Sequence, residues 1–151
     1  MKREAVPDYG ATEDECRAYF SACAALRENR GHVDLLRGQH YRKRAQFFAL
    51  YDDVRALPPN TAWTKLREIH DWFLSQIQEN SDLVSQCKTG AEVDAAAAQH
   101  RTAALLSVEG ADLLDCALDH LETVASWGVR LINPVSVSYT HLRAHETLRH
   151  L

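Results

Sequence analysis

Glu109 is the residue of this 151-residue sequence whose surroundings best suit it to chemistry. It closes the apolar run Thr102-Ala-Ala-Leu-Leu-Ser-Val and is followed at once by Gly110. Ligands of α/β folds gather at the C-terminal ends of parallel strands, and a carboxylate there can bind a cation. It can equally face water or pair with a lysine or arginine, and on the residues alone that plainer role is the simpler reading. A second candidate is Gly31-His32-Val33-Asp34, a His-x-Asp pair that ends 75 residues before Glu109. A third is His141-x-x-x-His145-Glu146, because histidines four apart share one face of a helix and suit zinc. The four cysteines (Cys16, Cys23, Cys87, Cys116) form no CxxC pair and read as reduced thiols packed in helices.

The third candidate falls away on the character of its segment. Val137-Ser-Tyr-Thr-His-Leu-Arg-Ala-His-Glu-Thr147 resembles, codon by codon in one frame, the conceptual translation of a transposase-based sequencing-library adapter. Residues 136–151 are therefore expected to be an adapter-derived tail that takes no part in the fold, and residues 1–135 the biological domain. Five histidines remain: His32, His40, His70, His100 and His120.

Composition bounds what the rest can be. With 46% hydrophobic and 25% charged residues, the chain has the make-up of a globular domain with one core. The longest apolar runs, such as Ala103–Leu106, are far too short to span a bilayer, and Met1-Lys-Arg-Glu leads into acidic sequence rather than an export signal. A cytoplasmic protein is expected, with no membrane partner. Net charge is −4 without a basic stripe, which argues against nucleic acid as a partner.

The elements that must position Glu109 follow from pattern. Thr12-Glu-Asp-Glu15 is a capping box that opens a helix through about Arg27, with Cys16, Tyr19, Phe20 and Cys23 along one side. Ala45–Tyr51, apolar and aromatic, reads as a buried strand. After Leu57-Pro-Pro-Asn60, Thr61–Asn80 is helical, with Leu66, Ile69, Trp72 or Phe73, and Ile77 at core spacing. Ala91–Gln99 is a short alanine-rich helix, and Thr102–Glu109 is apolar without alternation, as expected of a strand covered on both faces. Asp112–Ser126 reads as one more helix, Gly128 as its cap, and Val129–Ile132 as a further strand. Strands alternating with helices imply βαβ units in a doubly wound sheet or a (β/α)₈ barrel, and periodicity does not choose between them. Trp63, Trp72 and Trp127 lie at helical spacing and are expected in the core rather than on a partner surface.

Three segments in order resemble the membrane (renal) dipeptidase family of zinc dipeptidases, in its bacterial branch. They are Leu26-Arg-Glu-Asn-Arg-Gly-His-Val-Asp-Leu35 with Ala45–Tyr51, then Ala103-Ala-Leu-Leu-Ser-Val-Glu-Gly110, then Leu121 through Gly128-Val-Arg130. The resemblance implies a (β/α)₈ barrel, of which this chain is about the first half without its first strand. It implies two Zn²⁺ in the full-length parent, and hydrolysis of dipeptides, including those with a D-residue at the C-terminal position, by a water bridging the metals. It makes Glu109 the carboxylate that bridges the zincs, since two oxygens can hold two cations about 3.5–4 Å apart.

The family's first-strand His-x-Asp zinc motif does not occur before Leu26. His32 and Asp34 are weaker metal candidates, because in the bacterial branch a similar Gly-His-aliphatic-Asp segment follows the Arg-Glu-Asn stretch without ligating metal. A role in a loop or turn is the expected one. The substrate-binding arginine, the two further histidines and the later aspartate of the family have no counterpart in residues 1–135. The chain as it stands is thus expected to be inactive. A non-catalytic α/β interaction module without a metal site is the alternative from another class, and the sequence does not give the oligomeric state.

Overall fold

The computed structural model describes residues 10–31 and 33–134; His32 and residues 135–151, with His141, His145 and Glu146, lie outside the described residues. Eight main elements follow one another: α1 (Glu13–Cys23), β1 (Ala45–Leu50), α2 (Ala62–Glu79), β2 (Val84–Gln86), α3 (Gly90–Ala98), β3 (Thr102–Glu109), α4 (Leu118–Trp127) and β4 (Val129–Asn133). The strands form one sheet along the path β1-β3-β2, with β4 also pairing with β3. The chain divides into two compact units, Met1–Gln46 with Leu74–Ala103 and Phe47–Phe73 with Ala104–Leu151. No described helix is long and apolar enough to cross a membrane.

In the first unit the expected capping box is formed. The Thr12 hydroxyl accepts from the Glu15 amide at 3.3 Å while the Glu15 carboxylate accepts from the Thr12 amide at 2.7 Å. Helix α1 stops at Cys23 rather than near Arg27. The Leu35 and Leu36 amides instead donate back to the Leu26 and Arg27 carbonyls, and the Arg27 guanidinium grips both oxygens of Asp82 at 3.0 Å. Strand β2 is an addition to the sequence reading. It is only three residues long and its Ser85-Gln86 carries no apolar signal, but the Thr102 amide donates to the Leu83 carbonyl beside it. Helix α3 opens with a second capping box, between Thr89 and Glu92.

In the second unit β3 behaves as its apolar run predicts. Ala104, Leu106, Ser107 and Val108 are all buried, and β4 runs parallel to the strand. Strand β1 departs from expectation: burial alternates along it, with Phe47 49% exposed and Leu50 2% exposed. It ends the hydrogen-bonded path of the sheet and is covered on one face, which produces the two-residue period. The helix expected over Asp112–Ser126 is broken. Ala111–Leu114 is a 3₁₀ turn, and Asp115 and Cys116 both take left-handed backbone angles (φ 51° and 52°) before α4 begins at Leu118. Gly128 at φ 99° then closes α4 in the left-handed conformation that glycine takes without a Cβ clash. In α2 the buried residues are Ala62, Leu66, His70 and Phe73, so that His70 holds the place next to the expected Ile69, and Trp72 points outward at 51% exposure.

Candidate functional site

Glu109 ends β3, and the chain leaves the strand through Gly110 at φ 101°, ψ 121°, a combination any residue with a Cβ avoids. The register beside it is set by a bulge. Leu106 pairs with Val129 but Ser107 pairs with Leu131, so Arg130 is the extra residue of β4. An unbroken ladder would put Ile132 opposite Glu109; the bulge puts Asn133 there. The Asn133 amide nitrogen donates to Glu109 Oε1 at 2.9 Å, and the Asn133 carbonyl accepts from the Gly110 amide at 2.9 Å. The Ala111 amide donates to the Pro134 carbonyl at 3.3 Å. One oxygen of the strand-end carboxylate is thus steadied by a neutral donor, while the backbone on either side is stitched across the two strand ends.

The loop that follows is held from below. His120 Nδ1 lies 2.9 Å from the Leu114 carbonyl, which places the proton on that nitrogen for it to donate. The His120 ring lies flat on Trp63 (centroids 3.8 Å, planes 6° apart), Trp63 on Trp127 (5.5 Å, 8°), and Trp127 on His70 (4.2 Å, 9°). Four parallel rings from α2 and α4 thus form one stack, and its His120 end is bonded to this loop. Trp63 and Trp127 are half-buried in this stack rather than in the core, and Trp72 is 51% exposed.

Asp34 lies in the other unit and is 1% exposed. Its carboxylate accepts from the Arg37 amide at 2.7 Å, from Arg37 Nε and from the Asn29 amide at 3.4 Å. Arg37 further donates to the Gly31 carbonyl at 2.7 Å and the Asn29 carbonyl at 3.1 Å. Burial alone pushes the Asp34 carboxyl up, but the two hydrogen bonds from Arg37, that from Asn29, and the Arg37 charge outweigh it and hold the group below the usual aspartate range. Both residues that donate to it, Asn29 and Arg37, lie within five positions of it along the chain.

Among the described residues no three of His, Cys, Asp and Glu come together as a metal site. Glu109 contributes one carboxylate, and a zinc ion needs three or more protein ligands. The described residues therefore do not fit a metal centre by themselves. Sequence reasoning missed Asn133 and His120. A polar residue at the end of a strand was the available signal for the first; the bulge that brings it opposite Glu109 has none.

The described residues form an α/β fold with an acidic residue at the C-terminal end of a buried strand that pairs in parallel with its neighbour. The sequence profile of the membrane dipeptidase family (peptidase family M19) matches residues 12–146, and the chain belongs to that family. Solved structures agree on the fold. The metallopeptidase dipeptidase AC of family M19 is similar at 27% identity and a TM-score of 0.59, over 70% of this chain and 33% of that one. The Rhodobacter sphaeroides metallopeptidase, liganded with a phosphinate mimic of the dipeptide L-Ala-D-Ala, gives 22% identity and 0.61 over 78% and 40%. The probable dipeptidase PvdM of Pseudomonas aeruginosa gives 18% and 0.62 over 91% and 34%. The chain thus spans 33–40% of the length of these relatives. No curated protein matches it significantly.

Proposed function

We propose that this chain is part of a dinuclear zinc dipeptidase barrel and supplies Glu109 as the carboxylate shared by two Zn²⁺ ions. Family membership and the position of Glu109 at the C-terminal end of β3, beside Asn133 of β4, are the observations that carry the reading. In the complete enzyme the zincs would make water a nucleophile at neutral pH. The substrates are dipeptides, including those with a D-residue at the C-terminal position. Residues 1–135 are read as barrel domain and residues 136–151 as an adapter-derived tail. Because the described residues offer one carboxylate where each zinc needs several ligands, they neither hold the pair tightly nor turn over dipeptides alone.

Sequencing through the genomic locus across both ends of this frame tests the proposal. A His-x-Asp strand upstream, and two strand-end histidines downstream in place of the tail, are the expected result. In that complete protein Glu109→Gln should lower bound zinc measured by elemental analysis. A stop codon directly before Met1 and an unrelated continuation after Val135 would refute the dipeptidase reading and leave the interaction module.

A further inference from the structure

We propose that the loop from Arg37 to Arg44 forms a binding cleft for a small anion that carries a flat apolar group. The loop is the most cationic stretch of an otherwise acidic chain: Arg37-Gly-Gln-His-Tyr-Arg-Lys-Arg44, against a net charge of −4. It borders an open cleft of 530 Å³ lined by Asp34, Arg37, His40, Tyr41 and Arg44, a volume typical of small-molecule sites.

The charges in it do not cancel. Asp34 is matched by Arg37, and Lys43 by Asp94. Arg44 instead donates to two neutral oxygens, the Asp34 carbonyl at 3.0 Å and Gln46 Oε1 at 2.7 Å. Its positive charge is thus uncompensated among the described residues, and three of its five N–H groups stay available there. Gly38 makes this placement possible, because a Cβ at position 38 would stand 1.5 Å from Arg44 Nη1. A guanidinium fixed by neutral partners over a bare glycine is a preorganised receptor for a phosphate or carboxylate, since little side-chain freedom is left to lose on binding.

The rim selects the rest of the ligand. Val33 is 47%, Leu36 41% and Tyr41 61% exposed, and the His40 ring lies 4.0 Å from that of Tyr41. An aromatic or other flat apolar body can cover these groups while its anionic head meets Arg44.

Saturation-transfer NMR on the full chain at low ionic strength tests this with phenyl phosphate, benzoate and inorganic phosphate as probes. The expected result is saturable binding of at least one aryl anion with a Kd on the order of 1 mM, the strength its few heavy atoms allow, and displacement by inorganic phosphate. Which aryl anion binds tells whether the head is a phosphate or a carboxylate. Arg44→Met should weaken binding tenfold or more, and Arg55→Met, which alters a surface pair with Asp53 elsewhere, should leave it unchanged. Should Arg44→Met fail to fold, Tyr41→Ala decides, because this exposed ring carries the preference for aryl anions over inorganic phosphate. Absence of saturation, equal loss with Arg55→Met, or an unchanged preference in Tyr41→Ala overturns the proposal.

Discussion

Replacing Asp34 by alanine should cost about 3 kcal/mol of stability, a figure that follows from what its carboxylate holds. The group is 1% exposed and accepts from two backbone amides, Asn29 and Arg37, and from Arg37 Nε. A buried donor left without an acceptor costs about 1–3 kcal/mol, and the charged contact is worth about 1.5–3 kcal/mol. Arg37 is 37% exposed, so water recovers part of that loss, and the 3.4 Å contact to Asn29 contributes at the weak end. These corrections bring the sum down to about 3 kcal/mol, or roughly 6–12 °C in Tm for a chain of this size. Asp34→Asn keeps one acceptor oxygen and the volume, and should cost about half as much. Urea unfolding followed by tryptophan fluorescence measures both, without added metal. A loss below about 0.5 kcal/mol for Asp34→Ala, the level of ordinary surface substitutions, would refute the view that Asp34 is a structural acceptor. Stability that depends on Asp34 only when zinc is present would make it a ligand instead.

The same group makes stability depend on pH. Its folded-state value lies below the ordinary one, so the unfolded chain binds the proton more readily. The contribution is full above about pH 4, and is lost as pH falls through the lower folded value. Asp34→Asn should flatten this acid limb in urea titrations at several pH values. Gly110→Ala should destabilise by about 1–2 kcal/mol, because alanine does not tolerate φ 101°, and chemical denaturation reads the change. His120→Ala removes both the donor to Leu114 and a ring of the stack, and should cost about 1–2 kcal/mol with a change in tryptophan emission. An unchanged spectrum would contradict the stack. Thiol labelling should find Cys116, exposed, reacting at once, and Cys87 reacting only on unfolding, since burial and then the Glu92 charge push the Cys87 thiol up.

Much of the frame that carries Glu109 was readable from residue order. The Thr102–Val108 run lacks alternation because β3 is covered on both faces, and the two tests of that reading, burial and parallel pairing with β4, agree. What escaped reading was decided by tertiary context. Strand β2 exists through its pairing, not its composition. His70 is buried because a flat indole, Trp127, lies against it, and helical spacing alone prefers the neighbouring isoleucine. The break at Asp115-Cys116 requires two consecutive left-handed residues that carry neither glycine nor proline as a marker, and the His120 contact with Leu114 helps hold the turn that makes it.

The candidate site divides along the same line. That Glu109 stands at a strand end follows from its own run and from Gly110. What stands beside it does not, because one extra residue in β4 decides whether Ile132 or Asn133 faces it. An apolar neighbour would leave the carboxylate to water alone; Asn133 instead gives it a neutral donor at 2.9 Å and ties Gly110 to the next strand. A carboxylate oxygen has a second lone pair, so this bond orients Glu109 without occupying both sites on Oε1. The bulge is thus the feature that turns a legible strand end into an oriented carboxylate. Replacing Asn133 by leucine would remove this donor and free the Glu109 side chain, a change visible in its NMR relaxation.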